Sequence, residues 1–542
     1  METHEVFNQS PILENINLFE IDKPLQHMLK QAHVDLGASK VSEYGKSMGT
    51  RQMIDNGRLA NKYTPVFETH NSRGFRTDEV EFHPAYHELM TQGIEHGVHA
   101  LPWSEHKPGN HLLRMALFYL HGQNEAGTCC PITMTFSCIP AIQKHFPKAD
   151  EWIPKILSTT YDPSNQPYYE KQGLTIGMAM TEKQGGSDVR ANTTEAKPVD
   201  QSGAGELYQL TGHKWFCSAP MSDAFLTLAQ TDQGISCFLL PRWLPDGSKN
   251  NFRVQRLKDK LGNRSNASSE IEFDGAQAWL MGDEGRGVSV ILEMVALTRY
   301  DCMIGSSALM RRGLTEVLHH IQHRKAFGKL LADQPLMQNV VADLCLESEA
   351  ALAMTYRTAL CLENGTKEEE KLLLRLLTPI GKYWITKRSI PFLGEAMECL
   401  GGNGYVESGV LPRLYREAPV NAIWEGSGNV QCLDVMRAIA KSPAALDAFI
   451  SELESAKGNL SLYDSFIEKL SASLSKLSEG QARHFVEQFA KAAQASALIK
   501  SGRNHMAEAY CLSRLTESST GCMFGNLSEA ADSKGIVEEF LF

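Results

Sequence analysis

The segment AMTEKQGGSDVRA, Ala179 to Ala191, says most about the architecture of this chain. It closes a run of strand character, Leu174 to Thr181, and then bends at two adjacent glycines. Gly185 and Gly186 have no Cβ, so the chain can take positive φ there. The amides beside Ser187 and Asp188 can then face one concavity. Thr181 supplies a hydroxyl next to the bend. On these residues alone the segment is an anion-binding turn at the end of a strand, and a purely structural loop would carry the same composition.

The character of the chain changes on either side of this turn. Up to Met178, polar loops alternate with helical apolar spacing, as in HLLRMALFYLHGQNEAG (His111 to Gly127). From Ala179 the pattern becomes short alternating runs, LYQLTGHKWF, DAFLTLAQT and GISCFLLPRW, separated by Gly, Asp and Pro turns. These predict a small antiparallel β-domain. Helical spacing returns in VSVILEMVALTRYDCMIGSSALMRRGLTEVLHHIQHR and in the Leu-rich run from Lys371 to Leu377 before Pro379. The expected class is mostly α with a central β-domain, in four domains: 1–178 helical, 179–286 antiparallel β, 287–441 helical, and 442–542 an appended helical domain.

A chain of 542 residues that is 42% hydrophobic and 22% charged reads as a globular protein able to bury a large core and a large ligand. METHEVFNQSPILENINLFE lacks a basic-then-apolar leader, and no apolar run approaches the roughly 18 residues of a membrane span. The expected location is cytoplasmic, with no membrane partner. The twelve cysteines show no CxxC spacing, and adjacent Cys129 and Cys130 cannot close an ordinary bridge without strain, so reduced thiols are expected. Glu316–His319 and His319–His323 have metal-ligand spacing, but a di-iron bundle needs two such motifs and four carboxylates; no metal is expected. Neither GGNG at Gly401 nor GSG at Gly426 continues as the GxGxxG of a Rossmann site.

A second informative block, ECLGGNGYVESGVLPRLYRE (Glu398 to Glu417), is followed by NAIWEGSGNVQ (Asn421 to Gln431). GHKWFCS (Gly212 to Ser218), GDEGRGV (Gly282 to Val288) and RKAFGKLLADQPLMQ (Arg324 to Gln338) lie between the two blocks. Together with Thr181, Glu182, Gly185, Gly186, Ser187, Asp188 and Ala191, these segments resemble the acyl-CoA dehydrogenase flavoprotein family in order and spacing, over roughly Leu101 to Lys441. PITMTF (Pro131 to Phe136), LKDKLGNRSNAS (Leu257 to Ser268) and PVNAIWEGSGN (Pro419 to Asn429) are similar to its alkylation-response, AidB-like branch. Ser408 departs from the family at a position that is normally acidic.

The resemblance implies a helix/β-barrel/helix architecture with FAD as cofactor, and Glu425 as the base that takes the α-proton of an acyl thioester. Thr298 precedes Arg299 where some branches carry an alternative Glu. By the same resemblance, Met180 and Thr181 meet the flavin pyrimidine edge, and Gly185, Gly186 and Ser187 meet the pyrophosphate. Phe216 stands for the usual stacking Trp beside Trp215, Cys217 follows it, and Ser218 replaces the usual Thr near the flavin N5. Arg324 and Phe327 resemble residues that reach a neighbouring subunit's FAD. Glu398, where many members have Gln, joins Gly401, Gly402, Ser427 and Asn429 in the remaining cradle.

The implied partners are an acyl-CoA, an electron-transfer flavoprotein and further copies of the chain as a dimer of dimers. Double-stranded DNA is implied by the branch. The net charge of −11, and a tail from Ser442 holding nine Lys and Arg against thirteen Asp and Glu, weaken that last expectation. The tail cations Lys491, Lys500, Arg503 and Arg514 could still share a helical face, and the basic run Arg253 to Arg264 reads either as a phosphate patch or as a solvated β-loop. Arg437 reads equally as a charge partner of Glu425 or as a surface residue. The alternatives are a DNA-associated flavoprotein with vestigial catalysis and an acyl-CoA or nitroalkane oxidase.

Overall fold

The computed structural model describes residues 3–32, 37–516, 523–528 and 530–542. The chain divides into two compact units: one of Met1–Arg51, Pro108–Asn124 and Cys302–Phe542, the other of Gln52–Lys107 and Glu125–Asp301.

The second unit is built on a sheet. A short antiparallel hairpin, β1 (Val66–His70) and β2 (Arg76–Glu81), precedes it. Seven strands follow: β3 (Ile176–Ala179), β4 (Glu195–Pro198), β5 (Leu207–Ser218), β6 (Ala224–Thr231), β7 (Gly234–Pro241), β8 (Phe252–Leu257) and β9 (Ser268–Met281). Pairing runs β6–β4–β5–β9–β7 and returns to β6, so the sheet closes on itself, with β3 attached to β6 and β8 to β9 by one pairing each. The pairings of β6 with β3 and β4 are parallel; the others are antiparallel. Closure is driven by the inward apolar set, with Tyr208, Leu210, Phe225, Phe238, Ile271 and Phe273 in one buried cluster. Gly177 is required in β3 because a Cβ there would sit 2.3 Å from the Phe225 ring.

The first unit is helical. Pro335–Glu363 and Glu368–Cys399 pack against each other, and Pro443–Glu454, Ala482–Lys500 and Ser533–Phe540 pack on this pair. The helix Glu368–Cys399 runs on through Pro379 and Pro391, each of which removes one main-chain donor. His111 to Asn124 falls in the helix Asn110–Asn124, as its spacing predicts.

The C-terminal helices are fixed to this pair by buried charge. Arg514 donates to Asp343 and Glu347, and Arg388 donates to Glu347 at 2.9 Å. Arg357 bridges Glu370 and Glu452, and Lys500 reaches Glu452 at 2.9 Å. Tyr510 and Trp384 both donate to Gln494 Oε1, at 2.6 and 2.8 Å. The eleven cysteines among the described residues are buried and unbridged; Cys522 lies outside the described residues.

Removing one member of such a network strands its buried partners. Arg514→Ala should therefore lower unfolding free energy by about 3–5 kcal/mol. Chemical denaturation checks this, and a loss below about 1 kcal/mol would mean that the network does not hold the C-terminal helices.

Candidate active site

In the β-unit, the chain leaves β3 at Ala179 and turns back on itself at Glu182, whose carbonyl accepts from Gly185 N at 3.0 Å. Glu182 is fully enclosed. Its Oε1 accepts from Lys214 Nζ at 2.8 Å and Thr194 N at 3.1 Å; its Oε2 accepts from Thr193 N at 2.7 Å, Thr193 Oγ1 at 3.0 Å and Gln184 Nε2 at 2.8 Å. These donors hold the carboxyl far below its ordinary range. Burial pushes the Lys214 ammonium down to about 8, so the pair is ionised at neutral pH. Glu182 therefore belongs to the scaffold of the turn, and its neighbours Gly185, Gly186, Ser187 and Asp188 are left exposed.

The two glycines are there for different reasons. Gly185 has φ of +140° with open space where a Cβ would stand, whereas a Cβ on Gly186 would meet Thr181 Oγ1 at 2.4 Å. Trp215 N donates to Thr181 O at 2.7 Å and joins this turn to the end of β5. The β5–β9 register shifts between Lys214 and Cys217, and this bulge spans Trp215 and Phe216. Phe216 is left half-exposed, whereas the Cys217 side chain turns into the barrel core, so only its main chain could meet a ligand. Lys258, paired with Glu270 at 2.7 Å, sits 3.6 Å from the Trp215 ring centroid and 4.5 Å from that of Phe216. Ser218 Oγ lies 3.3 Å from Ser268 Oγ.

Just beyond Ser218, Ala219, Met221 and Ser222 form one wall of a cavity of about 520 Å³. Tyr86, His87, Met90, Pro131 and Tyr161 contribute further lining. His87 Nδ1 and Tyr161 OH lie 3.0 Å apart; burial lowers the His87 pKa and raises that of Tyr161, which favours the uncharged form of both. The Ser222 hydroxyl is buried there without a hydrogen-bond partner among the described residues. The volume and mixed lining suit a small organic ligand.

In the helical unit, Glu425 sits in a tight loop before the helix Gly428–Lys441, with φ of +59°, followed by Gly426 at +99°. A non-glycine residue in this region is strained and needs support from its surroundings. That support is buried Lys382, whose Nζ donates to Trp424 O at 2.8 Å and Gly426 O at 2.5 Å, together with Gln431, whose Nε2 donates to Glu425 O at 3.0 Å and Gly426 O at 2.9 Å. Ser427 and Asn429 are exposed, and the Ser427 side chain makes no cap bond to the helix it precedes. Arg437 lies exposed farther along that helix, in no ion pair among the described residues.

Five more expected positions fall in this unit. Glu398 is exposed at the end of Glu368–Cys399, and Gly401, with φ of +59°, accepts the turn that follows. Gly402 has open space at its Cβ position and no positive φ, so packing within the chain does not explain it. Arg324 ends the helix Gly287–His323, and Phe327 stands fully exposed at the tip of the hairpin β10 (Lys325–Ala326) and β11 (Lys329–Leu330), where Phe327 and Gly328 both have positive φ.

Sequence reading missed Lys382, Gln431, Lys258 and the His87–Tyr161 pair. A lone lysine within the apolar stretch TPIGKYWIT was the one available signal for Lys382. The basic run Arg253 to Arg264 is largely neutralised: Arg253 pairs with Asp274, Arg256 and Lys258 with Glu270, and Arg264 with Asp259.

Comparison with known proteins gives three family models along the chain. The adaptive response protein AidB N-terminal domain matches residues 8–163, the acyl-CoA dehydrogenase middle domain 177–276, and the acyl-CoA dehydrogenase C-terminal domain 285–440. The Escherichia coli (strain K12) protein AidB is 43% identical over 94% of this chain and 94% of its own. The Caenorhabditis elegans protein ACDH-11, solved in complex with C11-CoA, superposes with a TM-score of 0.84 at 26% identity, covering 100% of this chain and 93% of that one. Butyryl-CoA dehydrogenase from Megasphaera elsdenii shares the fold, with a TM-score of 0.58 at 20% identity over 77% of this chain and 98% of its own.

The Glu182 carboxyl has a folded pKa below its ordinary value of 4.5, so its stabilisation is complete above that pH and is lost as pH falls through the acid range. Glu182→Gln should cost about 3–5 kcal/mol at pH 7 and flatten the decline of stability between about pH 5 and 3. Denaturation curves across that range decide it; an unchanged acid slope would assign the slope to other groups. Lys382→Met, which keeps the stem and removes the ammonium, should cost about 3 kcal/mol and expose the 424–426 loop to proteolysis.

Proposed function

The chain belongs to the acyl-CoA dehydrogenase family, whose members are FAD flavoproteins, and on that premise we propose that it oxidises the α,β-bond of an acyl thioester with Glu425 as base. The observation that carries this reading is the strained Glu425 loop, held at positive φ by Lys382 and Gln431. Strain of this kind is maintained where a side chain must be presented in one orientation.

The chain's own residues suit the cofactor. Gly185, Gly401 and Gly402 leave open space where a ligand backbone or phosphate could approach, and exposed Ser187, Ser427 and Asn429 add side-chain donors that face solvent. Met180, Thr181, Phe216 and Ser218 would hold the ring system, with the bulge at Trp215–Phe216 supplying an aromatic face. When bound, FAD supplies the hydride acceptor for the substrate's β-carbon. Glu425 takes the α-proton, and the main-chain amide at its position stabilises the charge that gathers on the thioester oxygen. The cavity behind Ala219 takes the acyl chain: Phe82, Met90, Pro131 and Met221 give it an apolar wall, while the uncharged His87–Tyr161 pair and the carboxyl groups of Glu68, Glu79, Glu81 and Asp162 on its lining suit a tail that carries a polar group.

Electrons leave to an electron-transfer flavoprotein, and exposed Phe327 with Arg324 completes the cofactor site of a second copy in a dimer of dimers. Duplex DNA is not part of this reading. Lys491, Lys500, Arg503 and Arg514 are all paired with carboxylates, at Glu487, Glu452, Glu349 and Asp343 respectively, so they have little charge to offer phosphate.

Glu425→Gln should keep FAD bound while slowing flavin reduction by acyl-CoA at least about 100-fold, and should abolish α-proton exchange of the substrate in deuterated water. Reduction at the parent rate would remove Glu425 from the mechanism.

A further inference from the structure

We propose that the N-terminal arm, Asn8 to Pro11, is a positioning element for the cofactor site, acting by holding Arg324. The proposal rests on the reading that Arg324, Phe327 and the Gly401–Gly402 turn contact FAD.

Four consecutive arm residues bond to the elements that carry those positions. The Asn8 side chain behaves like a strand peptide: its Nδ2 donates to Lys325 O at 2.9 Å, and its Oδ1 accepts from Lys325 N at 2.7 Å. The Asn8 main-chain carbonyl accepts from Arg324 Nη1 at 2.6 Å. Gln9 Oε1 accepts from Asn403 Nδ2 at 3.4 Å, next to Gly401 and Gly402. Ser10 Oγ lies 2.9 Å from His320 Nδ1, and the Pro11 carbonyl lies 2.9 Å from His319 Nε2, one turn before Arg324. Asn8 makes its bonds at φ of +56°, a conformation that asparagine tolerates better than other side chains.

An arm that served only to cover apolar surface would bury its apolar side chains. Here Val6, Phe7 and Ile12 are 74%, 77% and 82% exposed, so polar bonds, not burial, order this stretch. Those bonds converge on one guanidinium and its neighbours. With Nη1 committed to the Asn8 carbonyl, the Arg324 side chain gives up most of its rotamer freedom before any ligand arrives. Its remaining N–H groups are then preorganised for a diphosphate.

The test compares full-length Asn8→Gly, Arg324→Ala and the double variant by FAD dissociation constant, from flavin fluorescence on reconstitution, and by the thermal midpoint of the apoprotein. Glycine keeps the positive φ and removes both side-chain bonds. Asn8→Gly should weaken FAD binding about tenfold with the apoprotein midpoint unchanged. In the Arg324→Ala background the same substitution should change affinity less than about twofold, because the residue it acts through is gone. Asn8→Asp, which keeps the acceptor and loses the donor, should fall between parent and Asn8→Gly. Unaltered affinity in Asn8→Gly beside a weakened Arg324→Ala would overturn the positioning role and leave the cofactor reading standing. A fully additive double variant, or a lowered apoprotein midpoint that accounts for the loss, would also overturn it. Unaltered affinity in Arg324→Ala would bring down the reading on which it rests.

Discussion

A buried side chain saturated with hydrogen bonds is the device on which both parts of the proposed chemistry depend. In the β-unit the enclosed Glu182 carboxylate gathers two backbone amides, a hydroxyl, a side-chain amide and the Lys214 ammonium. In the helical unit the buried Lys382 ammonium gathers the carbonyls on either side of Glu425. Each charge costs free energy to bury and is tolerated because the chain around it folds to meet it. The result in each case is a turn that presents its candidate side chains from a locked frame.

Glycine divides its labour in the same way. Gly186 is small because Thr181 occupies the space beside it, and Gly177 because Phe225 does. Gly185 and Gly401 are needed for conformation, whereas neither reason applies to Gly402. At Gly402 both packing and φ therefore leave room for a group from outside the chain. That contrast separates scaffold from site more cleanly than the motif itself, in which all these residues look alike.

The helix/β/helix class was legible because periodicity changes at Ala179 and again after the sheet, and the strands fall where LYQLTGHKWF, DAFLTLAQT and GISCFLLPRW predict them. The hairpin β1–β2 was not, since VFETH and RTDEVE alternate too weakly to stand out in a polar stretch. Pro379 reads as a helix stop, yet packing on both sides of Glu368–Cys399 overrides the loss of one hydrogen bond. The glycine turns and the aromatic-Glu-Gly segment point to the candidate site. Lys382 escaped because a lysine on a helix ordinarily reads as solvated, and its burial follows from tertiary contacts alone. Two of the tail cations were ambiguous for the same reason: the carboxylates that meet Arg503 and Arg514, Glu349 and Asp343, lie more than a hundred residues away in the sequence.

Anaerobic titration of the FAD-loaded protein with short, branched and long acyl-CoAs, following the visible flavin absorbance, addresses the proposed chemistry most directly. Bleaching by one class of chain, stoichiometric with bound flavin, is the expected result and would identify the tail that fits the cavity behind Ala219. Unchanged absorbance across the whole panel would contradict acyl thioester oxidation by this protein.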